Sequence, residues 1–136
     1  MHDEAQTPPG RKTVLLVEDE YETRRLTYHA LKHQCRVLEA ADAEAAIALL
    51  EREPVDLVLL DLHLPPEPDS PRQGQRVQRR IAGLTRPVTV VVVSGDDDPG
   101  VRKAALRDGA REFLVKPLDV GLLARRVKEL LAEGVR

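Results

Sequence analysis

Three short segments of the chain are apolar at every position, and polar residues follow each of them. They are VLLV at 14–17, LVLL at 57–60 and VVVV at 90–93. Strands that are buried on both faces of a sheet need such unbroken apolar runs, whereas strands with one solvated face alternate. CRVLEA at 35–40 and REFLV at 111–115 are mixed. We therefore predict that these two segments are the edge strands of the same sheet.

Segments with helical spacing of apolar residues separate the strands, and the spacing predicts which residues face the core. In the first helix, Leu26, Ala30 and Leu31 are expected to face inward. The inward residues expected in the other four helices are Ala46, Ile47, Leu49, Leu50, Val77, Ile81, Val101, Ala104, Ala105, Leu123, Val127, Leu130 and Leu131. Asp42 and Asp98 lie where they can cap the second and fourth helices.

Five strands alternating with five helices predict an α/β fold with a doubly wound, five-stranded parallel sheet. Parallel strands need crossover connections, and helical crossovers cover both faces of the sheet. We expect a disordered leader at 1–11, a folded domain at 12–132, and a tail or the start of a linker at 133–136.

Composition narrows the class of protein. The 136 residues fit one domain, and a net charge of −2 gives no bias toward nucleic acid or an anionic membrane. Cys35 is the only cysteine, which excludes an intrachain disulfide framework and a cysteine-rich zinc site. The polar N-terminus lacks a signal-peptide segment, and no stretch approaches the ~18 apolar residues of a membrane span. We expect a cytoplasmic protein.

Polar side chains come directly after four of the predicted strands. Glu18 and Asp19 follow the first, Asp61 the third, Ser94 the fourth and Lys116 the fifth. Any one of them alone would be an ordinary turn or capping residue. Ligands of open parallel sheets bind in the crevice at the carboxyl ends of the strands, so the five side chains together predict a site at that edge.

The motifs that contain these residues resemble the receiver domains of two-component response regulators. The shared features are an acidic pair at Glu18–Asp19, D-x-x-L-P at Asp61–Pro65, Ser94–Gly95, and GAREFLVKP at 109–117. The last is similar to the family pattern G-A-x-x-[FY]-L-x-K-P. The resemblance covers roughly Lys12 to Leu131 and implies the CheY-like (flavodoxin-like) three-layer sandwich with strand order 2-1-3-4-5.

The resemblance also implies a chemistry for the site. Asp61 would accept a phosphoryl group from a histidine kinase or phosphotransfer protein. Glu18 and Asp19 would hold Mg²⁺ together with a carboxylate oxygen of Asp61 and the backbone carbonyl of His63, while Lys116 would pair with a phosphate oxygen. Three adjacent carboxylates repel one another unless a cation lies among them, and Mg²⁺ binds carboxylates and phosphate oxygens together.

A switch and an output surface follow from the same resemblance. Ser94 would hydrogen-bond the phosphoryl group, and Phe113 would turn inward into the space that Ser94 leaves. The Lys116–Pro117 peptide bond is expected to be cis. The face formed by the fourth helix, fifth strand and fifth helix would change, and we expect a phosphorylation-dependent homodimer across it. The domain would be a phosphoacceptor rather than an enzyme with turnover, and would not itself contact nucleic acid.

The sequence departs from the family pattern in the segment Leu64–Gln73. Gly74 lies thirteen residues after Asp61, further than in most receivers, so this proline-rich loop is enlarged. A similar enlarged loop occurs in a subset of sigma-54-dependent regulators linked to exopolysaccharide and exosortase systems. Asp96 adds an acid two residues beyond Ser94. In receivers this position and that of His63 tune the lifetime of the phosphoryl group.

Other classes of function remain open alternatives. A Mg²⁺-dependent phosphatase of the haloacid-dehalogenase type also uses a strand-end aspartate, but it needs a second aspartate where this chain has His63. A flavodoxin-like cofactor-binding module would need a glycine-rich stretch after the first strand, where this chain has acids. The arginines at 72–86 predict a solvated helix face or a protein contact more than nucleic-acid binding, since no aromatic residues interleave them.

The chain ends just beyond the last helix, which fits a single-domain regulator or the N-terminal part of a transcription factor, and we favour the second.

Overall fold

The computed structural model describes residues 11–134, so the expected leader up to residue 10 and the last two residues of the tail lie outside the described part. The strands are β1 (Thr13–Val17), β2 (Arg36–Ala40), β3 (Leu57–Leu60), β4 (Thr89–Ser94) and β5 (Glu112–Val115). The helices are α1 (Tyr21–Leu31), α2 (Ala43–Arg52), α3 (Arg72–Ala82), α4 (Pro99–Arg107) and α5 (Val120–Glu133).

The strands form one parallel sheet in the order β2-β1-β3-β4-β5. This confirms the predicted fold class, and the two strands of mixed composition lie at the edges. In the register of the sheet, Leu60 pairs with Val17 on one side and with Val92 on the other. The carboxyl ends of β1 and β3 are therefore level, and β4 continues two residues further to Ser94. The residues that follow these parallel strands share one edge of the sheet.

Each face of the sheet has its own core. On one face, Leu15, Val58 and Val92 pack with apolar side chains from α2, α3 and α4. On the other face, Leu59 and Val91 pack with residues of α1 and α5. The central strands are buried on both sides, as their unbroken apolar sequences require.

Helix α1 faces the sheet differently from the prediction. Leu26, expected inside, is 60% exposed, so that prediction is wrong; Ala30 is half-buried and Leu31 is buried. The inward residue beside Leu31 is Thr27, one turn earlier. Its hydroxyl donates to the carbonyl of Thr23 at 2.9 Å, and this bond within the helix lets a polar residue pack against the core.

The remaining helices agree with the pattern. The apolar residues predicted to face inward from α2 to α5 are buried or half-buried. Asp42 accepts from the Ala45 N–H at 2.8 Å, and Asp98 accepts from the Gly100 N–H at 2.7 Å, as expected of capping residues. Asp119 caps α5 in the same way. Within residues 11–134, none of the helices has the length and apolar character that a bilayer crossing requires.

Candidate functional site

Three carboxylates meet at the carboxyl edge of the sheet. Oxygens of Glu18, Asp19 and Asp61 lie within 4.8 Å of one another. They are close because β1 and β3 are neighbours in the sheet and Val17 pairs with Leu60, the residue before Asp61. Glu18 and Asp61 are buried, whereas Asp19 is exposed. A set of hard oxygen donors of this kind, open to solvent on one side, fits Mg²⁺.

Lys116 brings a positive charge into the cluster. Its ammonium donates to Asp61 Oδ2 at 3.0 Å and also to a carboxylate oxygen of Glu18. The Lys116–Pro117 peptide bond is cis, as expected. Lys116 thus joins Glu18 and Asp61, which lie far from it in the sequence. Its ammonium also fixes one carboxylate oxygen of Asp61.

The pKa values of the buried groups follow from this arrangement. Burial raises the pKa of Glu18, and the hydrogen bonds from Lys116 and from the Glu20 N–H offset only part of that rise. For Lys116, burial alone would lower the pKa, but the hydrogen bond to Glu18 and the charge of Asp61 outweigh it and raise the pKa. The lysine therefore stays protonated and can pair with an incoming anion.

Ser94 and Phe113 lie on the neighbouring strands β4 and β5. Ser94 is fully buried, and its hydroxyl accepts from the backbone N–H of Asp96 at 3.1 Å. Phe113 is also buried, in the core, with the guanidinium carbon of Arg102 at 5.5 Å from the ring centroid. The aromatic ring thus already occupies an inward position in this structure.

His63 lies two residues after Asp61 and makes three polar contacts. Its backbone N–H donates to Asp61 Oδ1 at 3.1 Å. Its imidazole lies between two acceptors, with Nε2 at 2.8 Å from Asp96 Oδ2 and Nδ1 at 2.8 Å from the carbonyl of Pro68. Because both partners are acceptors, the ring satisfies them fully only when both nitrogens carry protons.

The pKa of His63 is raised and that of Asp96 is lowered, as expected for a hydrogen-bonded imidazolium–carboxylate pair. Burial opposes protonation of His63, but the bonds to the Pro68 carbonyl and to Asp96 outweigh burial and raise its pKa. The backbone N–H of Asp98 and the ring of His63 lower the pKa of Asp96. Asp96 follows β4 and His63 follows β3, so the pair bridges the ends of these two strands beside Asp61.

The enlarged loop between β3 and α3 is folded back on itself. Leu64 is fully buried, and the Glu67 N–H donates to its carbonyl at 3.1 Å. The Ser70 N–H in turn donates to the carbonyl of Glu67 at 3.1 Å, and the Gln73 side chain donates to the Glu67 carboxylate at 2.7 Å. Together with the contact to His63, these bonds fix the loop next to the site.

Sequence reasoning missed Arg24. This residue on α1 donates from Nη1 to the backbone carbonyl of Glu18 at 2.9 Å and from Nε to Glu39 Oε1 at 3.1 Å. The only signal in the sequence was an arginine one turn into the helix that follows the acidic pair. A cationic side chain there is the ordinary composition of a helix surface, so nothing distinguished it.

A cleft lined by residues of α1 and α5 lies next to the acid cluster. Its volume is about 480 Å³, and Glu18, Asp61 and Lys116 lie at one end. Its apolar lining includes Leu26, Leu118, Val120 and Leu123. Leu26, which was wrongly predicted to lie in the core, is therefore part of the wall of this cleft.

The basic segment around α3 is compensated by acids. Four of the five arginines at 72–86 pair with acids from other parts of the chain: Arg72–Glu67, Arg76–Glu44, Arg80–Glu51 and Arg86–Asp56. Each acid removes positive charge that a phosphate backbone would otherwise meet. The pairs favour the interpretation of this surface as a solvated helix face.

Comparisons with known proteins agree with the geometry. The family model described as the response regulator receiver domain matches residues 14–128. Response regulator protein PilR of Pseudomonas aeruginosa is 35% identical over 130 residues, which are 93% of this chain and 27% of PilR. The transcriptional regulatory protein TorR of the TorCAD operon in Escherichia coli O157:H7 is 32% identical over 119 residues, 87% of this chain and 49% of TorR. The chain thus spans between about a quarter and a half of these relatives' length.

Solved structures show the same fold. The CheY-like response regulator receiver domain protein from Methanospirillum hungatei JF-1 superposes with a TM-score of 0.82 and 26% identity, covering 91% of this chain and 96% of that one.

Proposed function

The chain belongs to the response regulator receiver domain family, and from this premise we propose that Asp61 is its phosphoacceptor. Histidine kinases or phosphotransfer proteins supply the phosphoryl group to receiver domains. The observation that carries the proposal is the position of Asp61, buried between two further carboxylates and the Lys116 ammonium at the open edge of the sheet. Incubation with a small phosphodonor and Mg²⁺ tests it, with one stable phosphoryl group expected per chain.

The contacts around Asp61 prepare it for in-line attack. The His63 N–H holds Oδ1 and Lys116 holds Oδ2, so the carboxylate has a fixed orientation before the donor arrives. One carboxylate oxygen attacks phosphorus, and the bond from phosphorus to the donor nitrogen breaks. Lys116 then moves from the carboxylate to a phosphoryl oxygen and keeps its proton.

Glu18, Asp19 and Asp61 would hold Mg²⁺ with the backbone carbonyl of His63. When bound, the ion neutralises charge on the transferring phosphoryl group. The fit is supported by the carboxylate oxygens of the three acids, which lie within 4.8 Å of one another, and by the chemistry of these oxygens, which are the hard donors that Mg²⁺ prefers.

Ser94 and Phe113 would carry the signal away from the site. The Ser94 hydroxyl would leave the Asp96 N–H for a phosphoryl oxygen, and the buried ring of Phe113 would be retained in the space beside it. This exchange is supported by the complete burial of Ser94 and by the hydrogen bond of 3.1 Å that its hydroxyl accepts from the Asp96 N–H.

The family is not an enzyme family, which argues against the phosphatase alternative. His63 occupies the position where a haloacid-dehalogenase phosphatase needs its second aspartate, and the imidazole is held by Asp96 and Pro68. The proposed chemistry is limited to transfer onto Asp61 and later hydrolysis of that same phosphoryl group, in a cytoplasmic protein.

The pair His63–Asp96 is proposed to prolong the phosphorylated state. Because it bridges the ends of β3 and β4 beside Asp61, it restricts the approach of water to the phosphoryl group. His63→Ala is expected to increase the rate of dephosphorylation several-fold, measured by the decay of the phosphorylated mass after removal of the donor. Asp97→Asn, which changes an exposed acid next to the bridge, is the control. An unchanged decay rate in His63→Ala would contradict a role in lifetime.

We further infer that the output is a dimer formed across α4, β5 and α5, in a transcription regulator. Several charges on this face pair within the chain: Arg107–Asp108, Arg111–Glu133 and Glu112–Arg126. Lys103, Arg125 and Lys128 remain exposed on this face. Exposed pairs add only about 0–1 kcal/mol each, so charges would set the register of a dimer more than its affinity.

Phosphorylation is expected to strengthen this dimer roughly tenfold or more, which lies within the range for such couplings. Sedimentation with and without Mg²⁺ and beryllofluoride measures the change, and Asp61→Asn is the control that should not respond. A chain that stays monomeric at high concentration in both states would exclude self-association and favour docking onto another protein.

A further inference from the structure

We propose that Arg24 is a positioning residue for the metal-binding acids. Its guanidinium holds the backbone of the segment Glu18–Asp19 in the conformation that binds Mg²⁺. The inference rests on the proposed function of the acid cluster and assigns a role to a side chain that touches neither the metal nor the phosphoryl group.

The first step is the position of the Glu18 peptide group. The Glu18 N–H still donates to the carbonyl of Ala40 at 3.0 Å, which continues the bonding between β1 and β2. The sheet pairing ends at Val17 and Ala40, so the carbonyl of Glu18 lies beyond it. Arg24 Nη1 donates to this carbonyl at 2.9 Å and supplies the partner that the sheet does not.

The second step is that Arg24 is itself held firmly. Its Nε donates to Glu39 Oε1 on β2 at 3.1 Å, and its side chain is only 14% exposed. The guanidinium also lies over the ring of Tyr21, with 5.5 Å from its central carbon to the ring centroid. One planar group therefore ties α1, the end of β1 and β2 together through two of its nitrogens, Nη1 and Nε, in a rigid fork that the flexible ammonium of a lysine lacks.

The third step connects these two bonds of Arg24, to the Glu18 carbonyl and to Glu39, with metal binding; we call them the Arg24 clamp. The acids of the cluster repel one another, and Glu18 and Asp19 can relieve the repulsion by turning their shared backbone away from Asp61. Mg²⁺ requires near-ideal octahedral geometry at short distances, so a small displacement of the segment lowers affinity. Loss of the Arg24 clamp should therefore weaken Mg²⁺ binding although every ligand is still present.

The chain offers a matched control in Arg25. This residue is on the same helix and pairs with the same acid, Glu39. Its guanidinium lies over the ring of Tyr28, at 4.3 Å from the centroid, and within residues 11–134 it has no hydrogen bond to Glu18. Arg25→Gln removes the same charge from the same helix and one partner of Glu39, but it leaves both hydrogen bonds of Arg24, to Glu18 and to Glu39, in place.

The experiment measures divalent-metal affinity, by Mg²⁺ competition against Mn²⁺ followed by electron paramagnetic resonance, and not activity alone. Arg24→Gln is expected to weaken Mg²⁺ binding about tenfold, the lower end for loss of an outer partner of a metal ligand. Arg25→Gln is expected to bind as the unchanged protein does. Asp19→Asn, which removes a proposed ligand, shows that the assay reports on this site. With acetyl phosphate, Arg24→Gln should need more Mg²⁺ for half-maximal phosphorylation but reach the same maximal rate.

Equal Mg²⁺ affinity in Arg24→Gln and Arg25→Gln would overturn the proposal, whether both equal the unchanged protein or both are weakened. If Arg24→Gln does not fold, the Mg²⁺ affinity of Arg24→Lys tests the proposal instead. It keeps the charge but replaces the rigid fork of two nitrogens with one flexible ammonium, so the Glu18 carbonyl is held less firmly and Mg²⁺ should also bind more weakly. Unchanged affinity would overturn the proposal. If the unchanged protein binds no Mg²⁺ and takes up no phosphoryl group, the proposed function fails instead, which is a distinguishable result.

Discussion

Asp61→Asn is expected to take up no detectable phosphoryl group from acetyl phosphate, while the protein remains folded. An amide has nearly the shape of a carboxylate but is a far poorer nucleophile. The remaining oxygen can still accept from the His63 N–H, and Lys116 keeps its second partner, Glu18. Intact-protein mass spectrometry measures the modification, and circular dichroism verifies the fold.

Asp56 provides the control for this variant. It flanks the other end of β3, where it accepts from the Thr13 N–H at 2.8 Å and pairs with Arg86 at 2.7 Å. Asp56→Asn should be phosphorylated as the unchanged protein is, because it lies at the edge of the sheet away from Lys116. Uptake of one phosphoryl group by Asp61→Asn would show that the assignment of Asp61 is wrong.

Gly74→Ala is expected to lower the free energy of unfolding by about 3 kcal/mol, the upper end of the usual cost of forced overpacking. A Cβ on Gly74 would lie 2.3 Å from the Cα of Leu62, 2.8 Å from its carbonyl oxygen and 2.9 Å from that of Asp61. All three are backbone atoms that cannot rotate away. The Gly74 N–H also donates to the Leu62 carbonyl at 3.0 Å, so helix α3 begins in direct contact with the site.

Gly83→Ala is the matched control at the other end of α3. There the nearest atom to an added Cβ is a backbone oxygen at 3.6 Å, an ordinary contact. The backbone of Gly83 is near the right-handed helical region, so alanine should be neutral or stabilise by about 0.5 kcal/mol through the unfolded state. Urea unfolding measures both variants. Equal stability of the two would mean that the close approach of α3 to Leu62 is not present in solution.

The fold was predictable because the apolar sequences of its central strands are compatible with few arrangements of the chain. Segments as uniformly apolar as 14–17, 57–60 and 90–93 must be buried on both faces, and helices between them are needed to supply those faces. The mixed composition of β2 and β5 placed them at the edges for the same reason. The strand-end residues then met at one edge, since parallel strands all point the same way.

Other features depended on contacts that the sequence does not encode locally. The hydrophobicity of Leu26 suggested burial, yet Thr27 occupies the inner position because its hydroxyl is satisfied within the helix. The bridge between His63 and Asp96 joins residues 33 positions apart and needs both strand ends in place. Arg24 has the composition of a surface residue, and only the backbone path of Glu18 reveals its partner.

The most direct test of the account is to locate the phosphoryl group itself. The protein is incubated with Mg²⁺ and acetyl phosphate, and the acyl phosphate is reduced with borohydride before peptide mass analysis. The account predicts one acid-stable, base-labile phosphoryl group per chain, dependent on Mg²⁺ and located at Asp61. Label on another residue, or continued hydrolysis of the donor by a protein that never carries a label, would contradict it.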